Sequence, residues 1–189
     1  MTIKTEKPKI LICDPIADIG IDMLKKQCIV DIKTGLTETE LIDIIAPYHA
    51  AVVRSTTKIP SAVIDAAQNL KVIARAGAGL DTIDIERAKA NNISVVNAPN
   101  ANAVAVAEHT FALMFALVRH LPRADAGLKE SRWEKKKLMG TGLAGKTLGL
   151  VGFGRIARQV ASRAIAFGMK VQVTQRRATP EKNAKAGVE

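Results

Sequence analysis

Short apolar runs alternate with amphipathic stretches five times in the first hundred residues, and this alternation constrains the fold more than any other feature of the chain. The runs are KILICD (residues 9–14), IVDIK (29–33), AAVVR (50–54), KVIARAG (71–77) and ISVVNAP (93–99). Each is short, apolar and closed by a proline, a glycine or a charged residue, so each reads as a buried strand. Between them, IGIDMLKKQ (19–27), LIDIIA, a run opened by Pro60 and reaching Ala67, and IDIERAKANN (83–92) read as helices. Thr37 with Glu40 three residues on forms a capping box ahead of LIDIIA. Pro60 suits a first helical turn, where its missing N–H costs nothing. Strand–helix alternation of this kind requires a parallel sheet with right-handed crossovers. The expected fold class is α/β, with a flavodoxin-like doubly wound parallel sheet over residues 1–100.

The pattern then changes. Asn102 or a near neighbour can cap a long helix, AVAVAEHTFALMFALVRHL (103–121), which Pro122 should interrupt. This helix is apolar nearly all round and is expected to be buried between two bodies. A polar stretch follows as a helix and an excursion, with Trp133 as its large anchor, up to a turn at Gly145. Residues 147–177 then read as strand, glycine turn, helix, strand. That is the first βαβ unit of a Rossmann dinucleotide domain. Two strands do not make a self-sufficient sheet, so residues 101–189 are expected to hold a crossover helix and a truncated nucleotide domain.

Charge divides at the same region. Residues 1–118 carry 12 Lys+Arg against 13 Asp+Glu, and residues 119–189 carry 16 against 5. A basic half could attract nucleic acid or a phosphate-bearing ligand; the stronger reading is that it simply lacks a compensating acidic remainder. A nucleic-acid role is not expected, because aromatics make up only 3% of the chain and leave few stacking platforms. No apolar run is long enough to span a bilayer, and MTIKTEKPKI lacks the apolar core of a signal peptide. Cys13 and Cys28 read as free thiols, so a cytoplasmic location is expected.

The strongest chemical motif is Gly152-Phe153-Gly154-Arg155-Ile156-Ala157, which fits G-x-G-x-x-G/A between an apolar strand and a helix. Gly152 permits the tight turn, Gly154 lets backbone approach a pyrophosphate, and Ala157 keeps helix close to strand. The acidic ribose partner belongs at the end of the next strand, where Gln175 stands. Gln175 can still bond a ribose hydroxyl and does not repel a 2′-phosphate, while Arg176 and Arg177 could pair with one. The cofactor is therefore NAD or NADP, with a lean toward NADP. Two solvated arginines after a strand are the competing reading.

Two further loops follow strands and so fall on the edge where open parallel sheets bind ligands. Arg54-Ser55-Thr56-Thr57-Lys58 supplies charge at Arg54 and Lys58 and hydroxyls at Ser55 and Thr57. Gly77-Ala78-Gly79 offers exposed amides that suit a carboxylate or phosphate. It is not a second dinucleotide fingerprint, because Thr82 stands where a third small residue is needed. Ordinary turn chemistry is the alternative for both loops.

With these stretches together, the chain resembles the D-isomer-specific 2-hydroxyacid dehydrogenases, particularly their D-3-phosphoglycerate dehydrogenase branch. The blocks that carry the likeness are VRSTTKI, ARAGAGLDTIDIERA, VVNAPNANAVAVAEHT, WEKKKLMGTGLAGKTLGLVGFGRIA and AFGMKV, in family order and spacing. The resemblance implies hydride transfer between C2 of a 2-hydroxy or 2-oxo acid and a nicotinamide. For the phosphoglycerate branch, it implies oxidation of 3-phosphoglycerate to 3-phosphohydroxypyruvate, leading into serine synthesis. Glyoxylate or hydroxypyruvate reduction uses the same site plan. It further implies that Arg54 and Ser55 face the substrate, with Gly77 and Gly79 near its carboxylate. Ala78 would lie at the nicotinamide end, where many relatives have a hydroxyl residue, and Arg155 and Ile156 would cover the pyrophosphate. The long helix would help form a homodimer. The family's catalytic Arg, Glu and His lie beyond residue 189 in family order, so no catalytic residue is expected in this chain. A non-catalytic binding or dimerisation module is the alternative. His49, His109, His120 and Glu108 do not fit the family's roles.

Overall fold

The computed structural model describes residues 7–175, and the chain falls into two compact units, Met1–Ala101 and Asn102–Glu189. In the first unit β1 (Lys9–Ile12), β2 (Ile29–Ile32), β3 (Ala50–Val53), β4 (Val72–Arg75) and β5 (Ser94–Asn97) alternate with helices. These are α1 (Asp18–Lys25), α2 (Glu38–Ile45), α3 (Ser61–Ala66) and α4 (Ile85–Ala90). The strands are all parallel in the order β2-β1-β3-β4-β5. This is the flavodoxin-like arrangement expected from the alternation, and it places the topological switch point between β1 and β3.

Each strand has only four residues, yet period-two alternation feeds both faces. Leu11, Ala51, Val53 and Ile73 join Leu41 and Ile45 of α2, Val63 and Ile64 of α3, and Ala88 of α4 in one core. Ile10, Ile12 and Val52 point the other way and pack against Ile21 and Leu24 of α1. Two-sided burial is what parallel sheets require. The capping box on α2 is formed: the Glu40 N–H donates to Thr37 Oγ1 at 3.3 Å, and the Thr37 N–H donates to Glu40 Oε2 at 2.8 Å. Pro60 stands just ahead of α3 as its N-cap residue.

The second unit contains α5 (Ala103–Val118), α6 (Leu121–Lys129), β6 (Thr147–Val151), α7 (Arg155–Ala166) and β7 (Lys170–Thr174). β6 and β7 pair in parallel, with Leu150 opposite Val173. Leu148, Leu150, Val171 and Val173 face a core built on Phe111, Val160, Ala161 and Ala164. Phe111, Phe115 and Phe167 stack about one another with centroids 5.1–6.3 Å apart.

Three expectations for this unit are corrected. The long helix ends at Val118 rather than at residue 121: His120 takes a left-handed conformation (φ 54°), and Pro122 falls in the first turn of α6. The proline therefore opens the second helix instead of breaking the first. Nor is α5 buried all round. Ala103, Ala107 and Phe111, spaced four apart, form its buried face, whereas Leu113 and Leu117 are 58% and 76% exposed. Trp133 anchors nothing. It is 78% exposed and joins none of the buried clusters among the described residues. No single helix among the described residues is long and apolar enough to cross a membrane; α5 and α6 meet that test only as a pair bent by 63°.

Candidate functional site

In the first unit, the loops at the carboxyl ends of β3 and β4 carry the sequence-predicted substrate residues. The loop after β3 is tied to the end of β1 by a buried carboxylate. Asp14 Oδ2 accepts the Arg54 N–H at 2.5 Å and the Thr57 N–H at 3.2 Å. Thr57 is itself buried, and its hydroxyl donates to the Cys13 carbonyl at 3.2 Å. It thus sits inside the loop, whereas Arg54, Ser55 and Lys58 are exposed. The Arg54 guanidinium donates to the Pro15 carbonyl at 3.1 Å. Burial first, and the Asp14 charge second, push the Cys13 thiol up to about 12, so it stays protonated and unreactive at neutral pH.

The loop after β4 is built differently. The Gly77 N–H turns back onto the Arg75 carbonyl at 2.8 Å, so this amide is already engaged. The Asn97 side chain donates to the Ala78 carbonyl at 2.7 Å, and the Ala98 N–H donates to the Gly77 carbonyl at 3.0 Å. Among the described residues, the Ala78 and Gly79 amides have no backbone or side-chain acceptor. Beneath them lies Arg75, only 9% exposed, whose Nη1 meets Asp81 Oδ1 at 2.8 Å and whose Nε is buried without a partner. The Arg75 hydrogen bond, foremost, holds the Asp81 carboxyl below its ordinary range. A Cβ on Gly79 would lie 2.6 Å from Asp81 Oδ1 and 3.1 Å from Arg75 Nη1, so a side chain there would have to displace the ends of these two groups.

In the second unit, the glycine turn joins β6 to α7. Gly152 adopts φ 90°, which only glycine takes easily, and its N–H donates to the Thr174 carbonyl at 2.7 Å. Gly154 is the N-cap residue of α7 with φ −80°, a conformation open to any residue, and a Cβ there would meet nothing within 4 Å. Neither strain nor internal crowding explains glycine at 154. Arg155 and Ile156 are exposed in the first turn, where unpaired amides favour an anion. Phe153 is buried, with the Arg158 guanidinium 4.5 Å above its ring. Ala157 packs toward the core. Gln175 directly follows β7, on the same edge as the glycine turn. Arg176 and Arg177 lie outside the described residues.

Sequence reasoning missed Asp14, Arg75, Asp81 and Asn97. The one available signal was an acidic residue directly after a strand and before Pro15, a pattern that by itself reads only as a strand end. None of the three histidines lies in the loops at these edges. His49 precedes β3, at the amino end of the sheet, and its Nδ1 accepts the Lys9 N–H at 3.1 Å; His109 is within α5 and His120 between α5 and α6. Among the described residues, no cluster of three or more His, Cys, Asp or Glu could hold a metal.

A doubly wound α/β unit followed by a strand–glycine–helix–strand fingerprint defines a dinucleotide-associated class of protein. Residues 10–184 match the D-isomer specific 2-hydroxyacid dehydrogenase catalytic domain, and the chain belongs to that family. It is 49% identical over 163 residues to the D-3-phosphoglycerate dehydrogenase of Synechocystis sp., an alignment covering 86% of this chain and 29% of that one. It is 54% identical over 136 residues to the hydroxypyruvate reductase of Thermotoga maritima, covering 72% and 44%. The chain thus spans about a third to under half the length of these relatives. Among solved structures, it resembles the TT0316 protein from Thermus thermophilus (TM-score 0.85, 32% identity, 91% of this chain and 57% of that one). It also resembles an acyclic imino acid reductase in complex with NADPH and D-Arg (0.83, 28%, 96% and 59%). A third likeness is the D-lactate dehydrogenase from Aquifex aeolicus complexed with NAD and lactic acid (0.82, 25%, 96% and 55%).

Proposed function

We propose that this chain forms the substrate-binding and initial dinucleotide-binding parts of an NAD(P)-dependent dehydrogenase that oxidises 3-phosphoglycerate to 3-phosphohydroxypyruvate. The observation that carries the reading is the Arg54–Lys58 loop, which presents two cations and a serine hydroxyl at the switch point of a parallel sheet. Residues 1–100 act as the substrate domain and residues 101–189 as a crossover helix with the start of the nucleotide domain. Arg54 and Lys58 neutralise the phosphate, Ser55 bonds it, and the open Ala78 and Gly79 amides receive the carboxylate. Thr57 and Gly77 shape these loops from within.

The fit of a dinucleotide rests on the α7 start. Gly152 makes the turn, Gly154 leaves the amides uncovered, and Arg155 and Ile156 flank the pyrophosphate. In this reading Ala78 is assigned to the nicotinamide and Gln175 to the adenosine ribose; Arg176, assigned to the same role, lies outside the described residues. When bound, the dinucleotide supplies the hydride acceptor. A base must take the C2 hydroxyl proton, and none of the three histidines lies in these edge loops. The 189-residue chain is therefore expected to bind ligands without sustained turnover, and the reading of it as a non-catalytic binding module is kept on that ground. The exposed Leu113 and Leu117 of α5 suit a homodimer contact, and two free thiols suit the cytoplasm.

The identity to a hydroxypyruvate reductase favours one second reading, reduction of hydroxypyruvate or glyoxylate. Titrating the chain with 3-phosphoglycerate and with hydroxypyruvate, then adding NAD or NADP and following nicotinamide absorbance, tests all three. Salt-sensitive binding of 3-phosphoglycerate without turnover is expected. Preference for hydroxypyruvate supports the reductase, and enzyme-like turnover refutes the binding-only module. Gln175→Asp should lower the ratio of NADP to NAD affinity; an unchanged ratio removes Gln175 from cofactor choice.

A further inference from the structure

We infer that Asp14 is a positioning residue for the ligand loop. Its carboxylate holds Arg54–Lys58 in the shape that turns Arg54, Ser55 and Lys58 toward an anionic substrate. The inference rests on the substrate reading above and adds a residue to that site.

The parallel ladder between β1 and β3 continues as far as the Cys13 N–H, which donates to the Val52 carbonyl at 2.8 Å. Were the ladder to continue, the next bond would run from the Arg54 N–H to the Cys13 carbonyl. It does not. The Cys13 carbonyl accepts the Thr57 hydroxyl instead, and the Arg54 N–H goes to Asp14 Oδ2. The same oxygen also accepts the Thr57 N–H, so one side-chain atom closes the turn that backbone leaves open. Pro15 follows at once and has no N–H with which to extend the strand.

Asp14 is only 2% exposed. A carboxylate buried that deeply is costly unless it is hydrogen-bonded, and here two amides meet it. Without the carboxylate, both amides would lose their acceptor. The backbone would then swing to find another, carrying the side chains at 54, 55 and 58 with it. The buried ends of the turn are Asp14 and Thr57, and its exposed members are those that carry ligand chemistry. The loop lies at the β1/β3 switch point, where the helix connections diverge and leave a crevice. Asp14 acts through the loop and is not itself a ligand, since its own charge would repel the phosphate.

The test uses the 189-residue chain with Asp14→Ala, the near-isosteric Asp14→Asn, and Thr57→Val. Backbone amide exchange is followed by NMR without ligand, and 3-phosphoglycerate binding by titration. Asp14→Ala should speed exchange at Arg54 and Thr57 about tenfold, with β2 and β5 amides unchanged, and weaken binding by a similar factor. Asp14→Asn keeps an oxygen acceptor and should recover part of both. Should Asp14→Ala fail to fold, Asp14→Asn carries the comparison with a weaker acceptor, and Thr57→Val, which leaves both amide bonds to Asp14 in place, is the control for disturbing the loop by other means. Faster exchange throughout the sheet, or local loosening with unaltered binding, overturns the positioning role. If the unmodified chain binds no 3-phosphoglycerate, the substrate reading falls, and exchange alone then decides whether Asp14 holds the loop.

Discussion

The two units use the same strand-turn-helix grammar and, among the described residues, join different numbers of strands. In the first, five strands pair in one sheet, and Leu11, Ile12, Val53 and Ile73 are 0% exposed. Among the described residues of the second, two strands pair, and one face of them is exposed. Val151 is 94% exposed, and a concavity of about 540 Å³ runs along Gly149, Val151, Gln172 and Thr174. Local propensity builds each βαβ unit equally well. Only the number of units joined decides whether both faces of a parallel sheet are covered. The carboxyl edges of the two sheets differ in kind as well. The first is held by side-chain ions beneath the loops, Asp14 and Arg75, and the second by backbone conformation at Gly152.

The sharpest way to break this comparison is Ile73→Ala, which opens a cavity in the complete sheet. A loss of about 2–5 kcal/mol is expected in urea unfolding, with hydrogen exchange faster throughout residues 9–97 and unchanged in β6–β7. Coupled loosening of β6–β7 would show that the units unfold as one.

Next is a pair of glycine substitutions in the second unit. Gly152→Ala forces an L residue to φ 90° and should cost about 1–3 kcal/mol. Gly154→Ala meets neither strain nor neighbours, so stability should hold while NAD and NADP binding weakens. Equal dinucleotide affinity in Gly154→Ala would remove the α7 start from the site.

A smaller effect is expected from Tyr48→Phe. The Tyr48 hydroxyl donates to Asp31 Oδ2 at 2.8 Å, and burial, then the Asp31 bond and charge, push its pKa from 10.0 up to about 12. A raised acid pKa favours the neutral form in the fold, so this stability is full below pH 10 and is lost as pH rises toward 12. Tyr48→Phe should cost about 1 kcal/mol at neutral pH and flatten the alkaline part of the stability curve. The buried Cys13 thiol, also raised to about 12, leaves some of that slope in place. An alkaline slope unchanged by the substitution would assign it wholly to other groups.

The smallest effect tests the open face. Val151→Thr should change stability by less than about 0.5 kcal/mol. A larger loss, growing with protein concentration, would mean that a second copy covers the face.

Much of the first unit was legible before any coordinates. Its strands have one period and its helices another, and Pro15, Gly77 and Pro99 fall just beyond them. The capping box of Thr37 and Glu40 is a contact between near neighbours, so spacing alone revealed it. The glycine turn at 152–157 was legible for the same reason. Asp14 was not, because its partners lie 40 and 43 residues away. Nor was the role of Thr57, which by residue type resembles Ser55 but lies on the inner side of the turn. α5 misled because its composition is apolar on every side, whereas burial depends on which faces find partners.

The sequence by itself determined the α/β class, the parallel connections and the position of the fingerprint, since these follow from local periodicity and near-neighbour chemistry; the family followed from the resemblance of whole blocks such as ARAGAGLDTIDIERA. The tertiary structure alone decided which loop residues face outward, which charges lie beneath the loops and which faces remain open. Those outcomes depend on contacts between segments far apart in the chain, where burial and hydrogen-bond satisfaction outweigh local preference.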